Sequence, residues 1–193
     1  MLSFISSFLK KSYGVTYIEN FFSEDDFQII IDECRQLNNN LKDEKYNIAE
    51  GRKGTLIQKD NVISRLCNSN IIKRKLKLPE HTFPADIPVE YRVYPIGSYM
   101  DWHADTTLYA KPQYEIVFTV FNTSDSKTLW YDPKTLEVNT IQTKPNSVII
   151  VRADDVQHCV TPITRGSRGI LKFVYTETLD KAPLFREHTR SLV

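Results

Sequence analysis

The chain is poor in the residues that build covalent frameworks. Its 193 residues hold three cysteines, Cys34, Cys67 and Cys159, widely spaced and without a CxxC pair. Neither a disulfide scaffold nor a zinc-finger pattern is expected from them. A reducing, intracellular and cytoplasmic setting fits that usage. A charge excess is also missing: the formal net charge is +1, whereas nucleic-acid binders usually carry a basic surplus. No nucleic-acid partner is therefore expected. No apolar run is long enough to span a bilayer, so no membrane partner is expected either. The opening MLSFISSFLKKSYG has a short apolar stretch, its positive charge follows that stretch, and no small-residue cleavage site appears. It reads as a short amphipathic helix or docking segment, not a signal peptide. Internal repeats and low-complexity tracts are absent. Only four histidines occur, so each one carries information.

What remains is an ordinary globular composition, 41% apolar and 25% charged. The length suits one domain, residues 1–193, able to bury a proper core. Its first part, about 1–80, reads as helical. In FFSEDDFQIIIDECRQLNNN, Ser23 is an N-cap and Asp26 stands three residues on. Glu24, Asp25 and Asp26 suit the positive end of a helix dipole. Phe27, Ile30, Ile31 and Cys34 recur at helical spacing, and the Asn38–Asn40 run reads as the stop. A second helix is expected from Asp60 to Lys77, ending before Pro79 with basic residues at its C-terminus. EGRKGTLIQ reads as a turn and a short strand.

From about residue 84 to 178 the texture changes. VEYRVYP, YEIVFTVFN, TLWYD, LEVNTIQT, SVIIVR, VQHCVTPI and GILKFVYTET are short runs rich in β-branched and aromatic residues. Turn formers punctuate them. The expected class is mainly β with flanking helices: a jelly-roll core with the N-terminal helices packed on one sheet, and a tail over 179–193.

His103 and Asp105 lie in YPIGSYMDWHADT. In an extended segment, residues i and i+2 point to one side, so an imidazole and a carboxylate would converge. His81 sits in a Pro-flanked linker and His188 in the polar tail. His158, in a late strand, is the better third ligand. Two histidines and one carboxylate, with other positions open, suit a non-haem Fe(II) oxygenase. Arg168 follows His158 by ten residues, after a turn at Arg165-Gly166-Ser167. A hairpin there would bring it into the same cavity. A buried arginine is costly unless it meets an anion, and a guanidinium grips a carboxylate through two parallel hydrogen bonds.

With these residues placed, the chain resembles the 2-oxoglutarate- and Fe(II)-dependent dioxygenases, in their prolyl-4-hydroxylase-like branch. The resemblance rests on Tyr94 and Gly97, His103 and Asp105, His158, Pro162-Ile163, Gly166 and Arg168, and covers Asn20 to Thr178. It implies Fe(II) on His103, Asp105 and His158. It implies 2-oxoglutarate held by Arg168, with Tyr94 as a further contact, and O2 as co-substrate. Ascorbate is a further candidate cofactor. The implied reaction releases succinate and CO2 and hydroxylates a protein or peptide, most simply on a prolyl residue. The alternatives are a free amino acid or other small metabolite as substrate, or a jelly-roll binding module without catalysis.

There are departures from the family pattern. Met100 stands where a second tyrosine is common. The Gly-Gly-Glu-Thr turn is missing, with Thr128 its one remnant. Val120 falls where relatives place a second hydroxyl for the co-substrate, which turns attention to Thr119 or Tyr91. Trp102, Trp130, Tyr131, Tyr109, Lys111, Arg152, Arg52 and Lys53 are the candidates for the substrate mouth.

Overall fold

The computed structural model describes residues 9–12, by backbone only, and residues 14–44, 48–153 and 156–186. The strands are β1 Leu9–Ser12, β2 Val15–Glu19, β3 Lys42–Asp43, β4 Ala49–Glu50, β5 Lys53–Ile57, β6 Phe83–Pro84, β7 Val89–Tyr94 and β8 Tyr99–His103. After them come β9 Tyr114–Asn122, β10 Thr128–Asp132, β11 Glu137–Ile141, β12 Ser147–Arg152, β13 His158–Val160 and β14 Arg168–Thr176. The helices are α1 Glu24–Leu37, α2 Val62–Cys67 and α3 Asn70–Leu76, with a 3₁₀ turn at Asn38–Asn40.

Two antiparallel sheets form. The larger runs β1-β2-β12-β9-β14-β7-β5-β3, with β6 beside β14, and the smaller runs β11-β10-β13-β8-β4. This is the jelly roll anticipated. The helices cover the outer face of the larger sheet. There Ile30, Cys34, Ile63, Cys67, Ile72 and Leu76 meet Tyr91, Ile116, Phe118, Val120, Leu171, Phe173 and Tyr175 in one buried cluster. The inner face looks toward the smaller sheet and encloses a cavity.

The start of α1 follows its sequence. Ser23 Oγ accepts the Asp26 N–H at 3.2 Å, and its hydroxyl donates to Asp26 Oδ2 at 2.7 Å. That satisfies an orphan donor of the first turn. The expectation of a helical part over about 1–80 needs correction, because β1 to β5 lie within it beside the helices, and two of its elements differ in particular. The N-terminal segment is not helical where it is described: β1 pairs with β2, Lys10 opposite Tyr17, and adds an edge to the larger sheet. Residues 1–8 lie outside the described residues. The helix expected from Asp60 to Lys77 is two helices. Asn61 Oδ1 accepts the Ile63 N–H at 2.8 Å to start α2, and Ser69 Oγ accepts the Ile72 N–H at 3.3 Å to start α3. Asn68-Ser69 thus ends one helix and caps the next, because short polar side chains compete with the helix for backbone donors.

Candidate metal and co-substrate site

Local geometry carries the three metal-ligand candidates to one place. His103 ends β8 and pairs across the smaller sheet with His158 of β13. From that pair, β8 advances three residues to Met100 while β13 advances two to Val160. This bulge lets Met100 and His103 face the same cavity, where strict alternation would separate them. Asp105 stands in the loop just past β8. The ligand atoms of His103, Asp105 and His158 all lie within 4.8 Å of one another.

The hydrogen bonds select which atoms face a metal. His103 Nδ1 lies 2.7 Å from the Asp101 carbonyl, and His158 Nδ1 lies 3.0 Å from the Val156 carbonyl. With Nδ1–H donated to backbone, each ring presents Nε2 as its lone-pair nitrogen. His103 Nε2 is buried and has no hydrogen-bond partner, which is costly in a protein interior unless the site takes a ligand. Burial, with His158 beside it, lowers the His103 pKa to about 4. The ring is therefore neutral and ready to ligate near neutral pH. Burial pushes Asp105 upward, but Lys172, His158 and His103 outweigh it and hold the carboxyl at about 2. The residues present fit a divalent metal: two imidazoles that each present Nε2, and one ionised carboxylate.

The other end of the cavity carries a buried cation. Gly166 has φ of +70°, and a Cβ there would meet the Thr123 carbonyl oxygen at 2.2 Å. Only glycine makes this turn without displacing backbone, and the turn delivers Arg168 to the first position of β14. Arg168 is 4% exposed. Its Nη1 donates to Thr128 Oγ1 across the cavity at 3.1 Å, its Nε is buried without a partner, and no carboxylate among the described residues pairs with it. Burial lowers its pKa from the usual arginine value, against the pull of Tyr94 and Tyr17. Tyr94 lies directly opposite Arg168 in the β7–β14 register and also lines the cavity. The cavity encloses about 570 Å³ including its open mouth.

Two sequence motifs meet in space. The Gly97 N–H donates to the Ile163 carbonyl at 2.8 Å, and the Ile163 N–H donates to the Ser98 carbonyl at 2.9 Å. The Tyr94-to-Gly97 turn thus clasps the Pro162-Ile163 segment, fixing the strands that carry His103 and Arg168.

Other expectations move. Val120 faces the helices in the outer core. Tyr91 shares that outer face, with its hydroxyl on Asn38 Oδ1 at 2.9 Å. Neither reaches the cavity. Thr119 bonds Thr143 at 2.9 Å, so the hydroxyl that meets Arg168 is Thr128. Trp130 is 1% exposed in a separate core with Tyr17, Ile149 and Val151, and is no mouth residue. Tyr109 is buried beside Phe185, with its hydroxyl on Asp86 at 2.6 Å. Lys111 pairs with Glu177 at 3.4 Å and Lys53 with Asp43 at 3.6 Å, both at the surface. His81 pairs with Glu177 at 3.0 Å, away from the metal-ligand cluster. His188 lies outside the described residues. Arg152 and Trp102 are exposed, and Tyr131 is half-buried. Arg52 is buried, ion-paired with Glu44, with its Nη1 3.8 Å from Met100 Sδ behind the cavity wall.

Charged residues inside the cavity were missed on sequence. Lys172, two alternations along β14 from Arg168, lies 3.3 Å from Asp105 Oδ1 and 3.1 Å from Glu115 Oε2. Arg92 of β7 pairs with Glu90, and with Glu44 at 3.1 Å. The signal was available: Lys172 interrupts an apolar strand at the same parity as Arg168.

No family model matches the sequence, and no curated protein matches it either. Solved structures do. A prolyl-4-hydroxylase from Pseudomonas putida superposes with a TM-score of 0.70 at 14% identity, over 86% of this chain and 94% of that one. A Trichoplax adhaerens prolyl hydroxylase, in complex with a hypoxia inducible factor oxygen degradation domain peptide, gives 0.70 at 14% identity over 86% and 84%. The viral collagen prolyl hydroxylase of Paramecium Bursaria Chlorella virus-1, as a 2-oxoglutarate complex, gives 0.58 at 12% over 84% and 96%. By backbone topology and by these superpositions, the chain has the jelly-roll fold of the 2-oxoglutarate- and Fe(II)-dependent oxygenases, in the form shared by the prolyl 4-hydroxylases.

Proposed function

We propose that the protein is an Fe(II)- and 2-oxoglutarate-dependent oxygenase that hydroxylates a protein or peptide, on a prolyl residue. The observation that carries the reading is Arg168: a buried guanidinium with no acidic partner among the described residues, facing the same cavity as His103, Asp105 and His158. A buried cation of this kind is strongly unfavourable alone. The distal carboxylate of 2-oxoglutarate supplies what it lacks.

In this reading His103 Nε2, His158 Nε2 and an Asp105 oxygen hold iron, and three protein ligands leave positions free for small ligands. Arg168 and Thr128 bind and orient the far end of the co-substrate, with Tyr94 alongside. Bound iron with 2-oxoglutarate and O2 supplies the oxidising chemistry, yielding succinate and CO2. The walls between the two ends, Val117, Ile149, Val151, Val160 and Ile170, are apolar and keep water from the reacting centre.

The prolyl assignment draws support from the shared fold with prolyl hydroxylases, one of them in complex with a peptide. A small polar metabolite is the second reading. One observation favours it: Arg92 and Lys172 line the metal end of the cavity, and an apolar prolyl ring has no use for charged walls. The test has two stages. Purified protein with Fe(II), O2 and 2-oxoglutarate should release succinate, and Arg168→Met should suppress that release at low 2-oxoglutarate. Proline-containing peptides and single amino acids are then screened by mass spectrometry for the gain of one oxygen. No succinate from iron-loaded wild type refutes the oxygenase reading. Oxygen gain only on single amino acids replaces the peptide reading by the metabolite one.

A further inference from the structure

Beyond the ligand set itself, one arrangement at the metal end surrounds the Asp105 carboxylate. Lys172 projects from β14 into the cavity, 14% exposed at its side chain, and touches Asp105 Oδ1 at 3.3 Å. Glu115, from the neighbouring strand β9, meets the same ammonium at 3.1 Å and is 3% exposed at its side chain. Gln113 in turn donates to Glu115 Oε1 at 2.9 Å and to the Thr106 carbonyl at 2.8 Å, which ties the pair to the loop carrying Asp105. The other carboxylate oxygen of Asp105, Oδ2, faces His158 Nε2 at 3.6 Å. The two oxygens of one carboxylate therefore have different surroundings.

A lysine next to a metal ligand needs a reason. An ammonium beside a divalent cation is repulsive. Burying it is strongly unfavourable unless it is paired. A device that only neutralised Asp105 would weaken the metal site. Glu115 cancels the charge of Lys172, and what the pair then contributes is direction. We infer that the Lys172–Glu115 pair is a positioning device that fixes the Asp105 carboxylate, holding Oδ1 so that Oδ2 alone is presented beside His158 as the ligand oxygen. The inference rests on the reading of His103, Asp105 and His158 as a metal site. Partners behind a ligand of this kind commonly set metal affinity by about 10- to 100-fold.

The charge-neutral design supplies the test. Lys172→Met alone leaves the buried Glu115 charge without a counter-charge, which destabilises the fold. The double variant Lys172→Met/Glu115→Gln removes one positive and one negative charge together. It leaves the net field at the metal nearly unchanged while releasing Asp105. Co(II) serves as probe, titrated into wild type, the double variant, Lys172→Arg and His103→Ala, with affinity and visible absorption recorded and folding checked by circular dichroism. The expected result is a dissociation constant weakened about tenfold or more in the double variant, an altered Co(II) absorption band, and recovery to within a few-fold in Lys172→Arg. A merely structural role would move stability and leave the band unchanged. A folded double variant with wild-type affinity and band overturns the inference while leaving the metal site standing. So does a double variant that fails to fold while Lys172→Arg keeps wild-type stability but loses the Co(II) band. Absence of His103-dependent Co(II) binding in wild type overturns the metal reading itself, and the inference with it.

Discussion

The two faces of the larger sheet are made of the same strands and do opposite work. Toward the helices β14 offers Leu171, Phe173 and Tyr175, β9 offers Ile116, Phe118 and Val120, and β7 offers Val89 and Tyr91, all within one apolar cluster. Toward the cavity the same strands offer Arg168 and Lys172, Glu115, and Glu90 and Arg92. The first face supplies stabilisation by removing apolar surface from water. On the second face charges are buried, and each is tolerated only through a partner. At the metal end the partners are in the protein: Lys172 with Asp105 and Glu115, Arg92 with Glu90 and Glu44. At the deep end Arg168 has a threonine and, among the described residues, no carboxylate. The difference between a filled and an unfilled charge requirement marks where a ligand belongs.

The contrast can be broken from either side. The largest expected effect is on the cavity face: His103→Ala should abolish iron-dependent succinate release while leaving the helix-covered core intact, as read by turnover and by thermal unfolding. On the opposite face, Phe118 is fully buried and packs edge-on to Phe22 and Phe27 at centroid distances of 5.0 and 6.0 Å. Phe118→Ala should cost about 3–5 kcal/mol of stability in denaturant titration. The folded fraction should bind 2-oxoglutarate as wild type does; a selective loss of co-substrate affinity would show that the faces are not independent.

Arg168→Met joins the two faces in one measurement. It removes a charge-assisted pair worth about 1.5–3 kcal/mol, so 2-oxoglutarate should bind roughly 10- to 100-fold more weakly. In the ligand-free protein the same change removes a buried cation that has no carboxylate partner among the described residues, and the melting temperature should rise. Unchanged co-substrate affinity would overturn the anchor assignment; a lower melting temperature would show that Thr128 and Tyr94 already satisfy the guanidinium.

The last effect concerns pH. His103 has a folded-state pKa near 4, below the ordinary value of about 6.5 for the unfolded chain. As pH falls the unfolded chain takes up this proton first, so the histidine favours unfolding under acid conditions. Its effect is absent above about 6.5, grows as pH drops, and is complete near 4. Urea titrations of metal-free protein at pH 7.5, 6 and 4.5 should show this decline, and His103→Ala should flatten it.

Much of the site was legible because its signals are local. A two-residue spacing gave His103 and Asp105 a common side, and a glycine turn aimed Arg168 inward. The Tyr94, Gly97 and Pro162-Ile163 motifs sit where the structure shows two backbone hydrogen bonds between them. What was not legible depended on long-range register. Val120 falls on β9 where relatives place a hydroxyl, but a register shift between Gly169 and Ile170 of β14 against β9 marks an irregular ladder there, and Val120 faces the helices. Thr128 lies 40 residues from Arg168 in sequence, and their meeting at 3.1 Å needs both sheets in place. Trp130 and Tyr109 looked like mouth aromatics by composition; packing places them in cores.

By itself the sequence determined the strand-rich second half, the capped first helix and the residue types able to ligate a metal. These follow from the periodicity of side chains along a backbone and from the chemistry of each group. Tertiary structure alone decided which cations found carboxylates and which did not. Glu44 reaches Arg92 from 48 residues away and Lys172 reaches Asp105 from 67. The reason is that alternation tells a side chain which face to take, whereas its partner is set by strand register and by the distance between two sheets.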